Sequence, residues 1–339
     1  MEYPSLDTPK AGALRFNTDS SKLELYDGNQ WVSFLVNSNS HGNNSSRACF
    51  AAGQAPSGPA GTNVIEYVQI NTKGDAIDFG DLTVARDWCT GSASNGIRGL
   101  WMGGSGSPQY TIIDYVTIGT TGNALDFGDL NDGRSSCGGL ANSIRGVYGG
   151  GEVSGNKKDT LEYVTIPSKG NGASFGDILE PTASLIGTCA NTTRGIFAGG
   201  YTPTALNVMQ YITIMTLGDA LDFGDLTSLS NELCAGFSNA TRGIFAGGSG
   251  DTDMINFITV ASTGNGSYFG DITSGGGVSC MGGGCNHTRG VMGGSSSPNS
   301  NNTIEYLNIH TLGNTKDFGD LAASRSCGGC VSNAHGGIG

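Results

Sequence analysis

Apolar residues in this chain fall in short alternating runs, and glycine, asparagine, aspartate or serine interrupts them every eight to twelve residues. Few stretches carry helical periodicity, so the pattern predicts an all-β chain. Within it one motif recurs six times: an aromatic residue and, twelve residues later, Phe-Gly-Asp followed by Leu or Ile. It links Tyr67 to Phe79, Tyr115 to Phe127, Tyr163 to Phe175, Tyr211 to Phe223, Phe257 to Phe269 and Tyr306 to Phe318. Each copy follows a strand that runs into small residues, opened by Arg-Gly at Arg98, Arg145, Arg194, Arg242 and Arg289 and, in a weaker first copy, by Arg47-Ala48, at steps of 51, 47, 49, 48 and 47 residues. A period near 48 decides the architecture.

Each repeat divides into four strands: the Arg-Gly strand, a second such as Ile65 to Ile70, a third centred on Asp-Phe-Gly-Asp-Leu, and a fourth running through a cysteine to Ser-Asn-x-Thr. Four strands in about 48 residues is the size of one β-propeller blade. In the second strand Ile65 and Tyr67 point one way and Val68 and Ile70 the other, as a sheet buried on both faces requires. The Gly-Gly pairs suit strand ends where backbones crowd. Neither end has the polar capping repeat that an open stack needs. The expectation is therefore a six-bladed β-propeller over residues 41–339, its ring closed with help from the tail His335-Gly336-Gly337-Ile338-Gly339, which reads as the start of a strand.

Loop lengths distinguish two faces. The turns before Phe-Gly-Asp are constant, whereas the interval from arginine to aromatic varies as 20, 17, 18, 17, 15 and 17 residues. Variable loops on a rigid scaffold are where binding is expected. The candidate contact residues in them are Gln109, Tyr110, Asn156, Tyr201, Asp251, Asp253, Asn299 and Asn301. Tyr110 and Tyr201 are suited to stacking on sugar rings, and the Asn and Asp residues to hydrogen bonding.

Residues 1–40 stand outside the repeat and form a small N-terminal β module. Three short strands, from Gly12, Lys22 and Gln30, are joined by turns that include Asp27-Gly28-Asn29. So small a sheet needs a partner. Asn37 to Ser46 reads as a polar linker.

Composition narrows the function. A net charge of −12 and a pI near 4.6 argue against a nucleic-acid groove. No apolar run approaches the roughly 18 residues of a membrane span, and the N-terminus does not open a signal peptide, so synthesis and folding in a cytoplasm are expected. Cys89, Cys137, Cys234, Cys280 and Cys327 lie eight or nine residues before the next repeat's arginine or, for the last, before His335. A recurrent small apolar residue is read as packing rather than as half of a disulfide.

Two resemblances follow from these residues. Pro9 to Asp19 with Leu25 to Val32 resembles a short module common in tail-fibre and other appendage proteins of bacteriophages, which implies anchoring to other virion proteins or trimerisation. The double-glycine strands and the repeat length resemble kelch-type propellers. The full string of Arg-Gly, Gly-Gly, aromatic and Asp-Phe-Gly-Asp-Leu, over roughly 47–339, is similar to repeat proteins of marine and cyanobacterial phages. Ser174 departs from that pattern, standing where the usual Asp precedes Phe175.

Chemical motifs dissolve into the repeat. Asp-Phe-Gly at Asp78, Asp126, Asp222 and Asp317 is no kinase signature without its catalytic-loop partners. Asp81, Asp129, Asp177, Asp225, Asp271 and Asp320 are read as turn caps or as partners of the repeat arginines, with a calcium-binding ring as the alternative. Cys280, Cys285 and His287, with Cys327, Cys330 and His335, resemble two half zinc sites, but two of these cysteines hold the packing position. No nucleophile, base and acid set breaks the pattern at one place. The sequence thus predicts no catalytic residue, metal or cofactor. It predicts a non-enzymatic virion protein whose loops bind host-surface glycan or a neighbouring virion protein, assembled as a homo-oligomer, with a trimer favoured. No nucleic acid and no membrane insertion are expected. The alternatives are a purely structural capsid or neck decoration and, behind it, a glycan-cleaving enzyme.

Overall fold

Short alternating runs become strands throughout a computed structural model that describes residues 9–17, 22–33, 46–55, 61–89, 91–183, 187–230, 235–248, 253–273, 282–295 and 301–338. The chain divides into two units, Met1–Asn44 and Ser45–Gly339. In the first, β1 (Leu14–Asn17), β2 (Lys22–Tyr26) and β3 (Trp31–Ser33) form an antiparallel sheet in that order. Asp27 caps the β2–β3 turn by accepting hydrogen bonds from the N–H groups of Asn29 and Gln30 at 2.7 and 2.8 Å. Those two bonds hold its carboxyl below the usual range. On one face Arg15 stacks 4.2 Å from the Trp31 ring and bridges Glu24 at 2.8 Å. The other face leaves Leu14, Phe16 and Val32 exposed.

The second unit holds six four-stranded antiparallel sheets. β4 (Arg47–Ala51), β5 (Thr62–Gln69) and β6 (Ile77–Arg86) belong to sheet 1. Sheet 2 is β7 (Ser92–Ser94), β8 (Arg98–Met102), β9 (Ile112–Thr117) and β10 (Leu125–Asp129). Sheet 3 begins with β11 (Gly138–Ala141) and β12 (Arg145–Gly149). A separate hairpin follows, β13 (Glu152–Val153) with β14 (Asn156–Lys157), before sheet 3 resumes with β15 (Thr160–Thr165) and β16 (Ala173–Asp177). Sheet 4 is β17 (Gly187–Ala190), β18 (Arg194–Ala198), β19 (Leu206–Thr213) and β20 (Leu221–Ser230). Sheet 5 is β21 (Ala235–Ser238), β22 (Arg242–Ala246), β23 (Met254–Thr259) and β24 (Ser267–Asp271). Sheet 6 is β25 (Gly282–Cys285), β26 (Arg289–Ser295), β27 (Asn301–Asn308) and β28 (Lys316–Asp320). Finally β29 (Gly329–Ser332) pairs with β4, Gly329 opposite Ala51, and completes sheet 1 as its first strand.

This order shows which strand completes which sheet, a point the sequence leaves open. The strand following each cysteine does not complete its own repeat. It pairs with the next Arg-Gly strand, because a short asparagine turn joins the two. Asn142 Oδ1 accepts the N–H groups of Ile144 and Arg145 at 2.9 and 2.8 Å, and Asn95, Asn191, Asn239 and Asn286 do the same in their turns. The tail corrects an expectation of the sequence. Gly336–Ile338 is a 3-10 turn rather than a strand, with Gly336 and Gly337 buried. A Cβ on Gly337 would meet the Ala141 carbonyl, so only glycine fits.

Six apolar clusters form the core, each between two successive sheets. One joins Phe79 and Ile65 of sheet 1 to Trp101 and Ile118 of sheet 2, and another joins Phe318 and Ile304 of sheet 6 to Phe50 and Ile70 of sheet 1. The twelve-residue interval is explained by the outer strands. Phe79 is the extra residue of a β-bulge between Asp78 and Gly80, which turns it onto Tyr67 edge-on with ring centroids 5.8 Å apart. The other five pairs repeat this at 5.8–6.2 Å.

The Gly of Phe-Gly-Asp lies where the next sheet's constant turn docks. Gly122 N–H donates to the Phe79 carbonyl and Ala124 N–H to that of Asp81, both at 2.7 Å. The same pair of bonds recurs at every step, down to Gly74 on Phe318 and Ala76 on Asp320. Gly128 has φ +149°, and a Cβ there would lie 2.6 Å from the Gly170 carbonyl oxygen. Gly128→Ala is therefore expected to cost more than about 2 kcal/mol, read as a lower denaturant midpoint with an unchanged slope.

The repeat arginines do not pair with the aspartates. Arg145 stacks 4.1 Å from the Tyr163 ring of its own sheet and donates to the Ile214 carbonyl of the next at 2.9 Å. Arg47, Arg98, Arg194, Arg242 and Arg289 make the equivalent donation, the last onto Ile70 of sheet 1. A guanidinium stacked on an aromatic ring with a carbonyl in reach has no need of a carboxylate. The aspartates serve the docked turns instead: the backbone N–H of Asp81 donates to Asn123 Oδ1 at 3.1 Å, and Asp129, Asp177, Asp225, Asp271 and Asp320 follow suit.

Candidate functional site

Antiparallel order gathers the connections into two sets. The asparagine turns and the constant glycine turns lie at one end of the strands. The variable loops, between each sheet's second and third strands, lie at the other, with the connections that lead from sheet to sheet. Backbone bridges join these last two kinds: Gln54 to Ser326, Asp87 to Ser105, Ser135 to Glu152, and Ala183 to Tyr201. The loop end is thus stitched to the scaffold by main-chain bonds.

The candidate residues differ in what they offer. Tyr110 is half-buried, its N–H bonded to the Gly104 carbonyl and its ring laid over Gly106, so its loop covers much of it. Gln109 is also half-buried, with its backbone against Gly133. Asp253 is exposed, and its carbonyl accepts the Ile272 N–H at 2.7 Å. Asn301 is half-buried opposite Ser295, and its carbonyl accepts the Arg325 N–H. Asp251 and Asn299 lie outside the described residues. Asn156 is exposed on the β13–β14 hairpin, and Tyr201 keeps 37% of its surface open. The β13–β14 hairpin meets the Tyr201 loop across sheets 3 and 4 through Lys157, which places its Nζ 3.9 Å from the Tyr201 ring centre. Asn156 is the preceding residue of β14, and successive side chains of a strand point to opposite faces.

Beneath the loops are buried charges that the repeat reading missed. Arg134 meets Glu162 at 2.6 Å, with side chains 1% and 4% exposed, and also donates to Thr160 Oγ1 at 2.8 Å. Arg86 lies 3.0 Å from Asp114, and Arg325 pairs with Glu66. Each pair crosses to the third strand of the next sheet, from the end of the fourth strand for Arg86 and from five residues beyond it for Arg134 and Arg325. The sequence carried a signal for them. Arg86, Arg134 and Arg325 each stand seven residues after the Phe, and the residue before the next aromatic is then Asp114, Glu162 or Glu66. Where Thr182 or Ser230 holds the first position, the facing residue is the uncharged Gln210 or Asn256.

The first strands of all six sheets line a central cavity of about 90 Å³, with Ser92, Ser94, Thr188, Ser238 and Ser332 among its walls. Its hydroxyls are spent on neighbouring strands: Ser94 donates to the Ser332 carbonyl at 2.8 Å and Thr188 to that of Gly139 at 2.6 Å. His335 also lines it, and bonds on both sides of its ring fix the neutral form. Nε2 lies 2.7 Å from the Ser94 carbonyl, and Nδ1 accepts the Gly337 N–H at 3.1 Å. Burial pushes its pKa down to about 4, against a smaller opposing pull from the Ser94 carbonyl.

The sign of the pH effect follows. Between pH 6.5 and about 4 the unfolded chain binds a proton that native His335 refuses, so stability falls as pH drops through that window. The full shift is worth about 3 kcal/mol. A His335→Gln chain is expected to lose less stability than the parent between pH 7 and pH 4 in parallel denaturant titrations.

The cysteines are packing groups among the described residues. Cys49, Cys89, Cys137, Cys189, Cys285, Cys327 and Cys330 are buried free thiols, and burial pushes those of Cys49, Cys137 and Cys285 up to about 12. Cys285 Sγ donates to the Ser238 carbonyl rather than facing His287. Cys234 and Cys280 lie outside the described residues. No family model matches the chain, and no curated protein matches it.

Proposed function

We propose that the six sheets are the blades of one closed β-propeller and that the chain is a non-enzymatic virion appendage protein of a tailed phage. Closure is supported by three sets of contacts that step from sheet to sheet and return to the first: the apolar clusters, the arginine-to-carbonyl bonds and the docked glycine turns. β29 then acts as the clasp between the two ends of the repeat. The variable loops present the binding surface, for a host-surface glycan or a neighbouring virion protein. The N-terminal sheet attaches the protein to other virion proteins or to its own copies, a role that fits the bare Leu14, Phe16 and Val32 face.

One observation carries this reading: length variation is confined to loops at one end of a scaffold whose docked glycine turns and arginine-to-carbonyl bonds recur in every sheet. Such a scaffold suits recognition, and several copies on one particle would convert weak contacts into avidity. The test is adsorption of the oligomeric protein to host cells and to a glycan array. Saturable binding is expected, competed by the free sugar. No binding at high valency would favour a capsid or neck decoration, and release of reducing sugar would favour a glycan-cleaving enzyme.

A further inference from the structure

We propose that Lys157 and Tyr201 form a site for an anionic saccharide unit, one bearing a carboxylate or a sulfate. This rests on the reading of the loops as a glycan-binding surface and names where on it, and for what charge, binding occurs.

The charge inventory comes first. Of the 17 lysines and arginines, 14 lie in the main unit, and most are committed elsewhere. The six repeat arginines sit at the asparagine-turn end, each bonded to a carbonyl. Lys73, Lys169 and Lys316 lie in or beside the glycine turns at that same end. Three arginines are buried in ion pairs. That leaves Lys157 and its neighbour Lys158 as the cations of the loop end, in a chain of net charge −12. An anion approaching the loops therefore finds positive charge at one place.

The second line is geometric. Lys157 stands opposite Glu152 in the β13–β14 register, yet the ion pairs among the described residues do not include it. Its ammonium lies over the Tyr201 ring instead. A ring quadrupole positions a cation without neutralising it, so the charge remains available to a ligand. A tyrosine 37% open beside a held ammonium matches a sugar, whose C–H groups pack on the part of the ring the ammonium leaves open while its anionic group takes the ammonium.

The third line is rigidity. Gly151 N–H donates to the Thr182 carbonyl at 2.7 Å, and Thr182 N–H to that of Lys158 at 3.0 Å. The adjoining Ala183 exchanges backbone bonds with Tyr201 at 2.9 and 3.3 Å. One segment between the sheets thus ties both loops, and the pair is set before any ligand arrives.

The experiment is calorimetric titration of the full chain with oligogalacturonate, a sulfated galactan oligosaccharide and a neutral galactan oligosaccharide. At least one anionic sugar is expected to bind tenfold or more tightly than the neutral one, less tightly as salt rises. The tighter of the two identifies carboxylate or sulfate as the group read. Lys157→Gln and Tyr201→Ala are each expected to weaken that binding about tenfold, while Lys73→Gln at the opposite end leaves it unchanged. Unaltered thermal midpoints show that the variants are folded. Equal affinity for neutral and anionic sugars, or anionic binding that survives Lys157→Gln, overturns this site and leaves the glycan-binding reading standing. Loss of every sugar, with no adsorption to host cells, overturns both.

Discussion

A chain shortened after Ser326 is expected to lose its single cooperative unfolding transition and to aggregate. The cut removes β29, and with it the first strand of sheet 1. The loss falls at several points together. Val331 is buried, and Arg47 N–H donates to Asn333 Oδ1 at 2.8 Å. Trp101 Nε1 donates to the Gly329 carbonyl, Ser92 to that of Cys330 and Ser94 to that of Ser332. Burying one valine is worth about 2 kcal/mol, and each of the four bonds about 1 kcal/mol net. The sum is comparable with the roughly 5–15 kcal/mol that holds a whole domain together. It also bares the edge of β4, a template for pairing with other chains. Circular dichroism with light scattering during denaturation reads the outcome. A shortened chain that unfolds in one sharp step near the parent's midpoint would deny β29 this role.

The second large effect is at Arg134. Replacing it by alanine leaves Glu162 buried with its main cationic partner gone, and destabilisation by about 3–5 kcal/mol is expected. The matching change at Glu162 alone should cost a similar amount. Arg134→Met combined with Glu162→Gln should recover much of the loss, because Gln210 already fills the equivalent position of sheet 4 as a neutral amide, accepting the Leu179 N–H at 2.7 Å. Denaturant midpoints for the parent, Arg134→Met, Glu162→Gln and the paired chain complete a double-mutant cycle. Additive single losses, with no recovery in the pair, would show that the two side chains do not depend on each other.

The sequence made the sheets legible because their makers are repeated residue types. Phe79 and its equivalents mark every bulge, the following glycines mark every docked turn, and both recur at one spacing. Strand ownership was not legible in the same way. Cys137 and Leu140 read as the end of one repeat, and only the bonds of Asn142 show that the turn ties β11 forward to β12. The arginine and aspartate of each repeat invited pairing because both recur, but recurrence does not say which atoms face each other. The buried ion pairs were hidden for the opposite reason. They occupy only some of the sheets, so reading for constancy passed over Arg134 and Glu162.

The loop end is the least legible part, since loops that vary have no repeat to align. Tyr201 was visible as an aromatic in a polar loop. Lys157 was not singled out, because nothing in the order of residues places it on a ring 44 positions away. That neighbourhood depends on Thr182 and Ala183 bridging two loops, a tertiary fact with no local signature.

The central claim is that the six sheets close about one axis with the variable loops together at one end. A cryo-electron microscopy map of the full chain tests it most directly. The account predicts six wedges around a narrow channel, with density for β29 beside β4. A linear stack, or any other number of wedges, would contradict it.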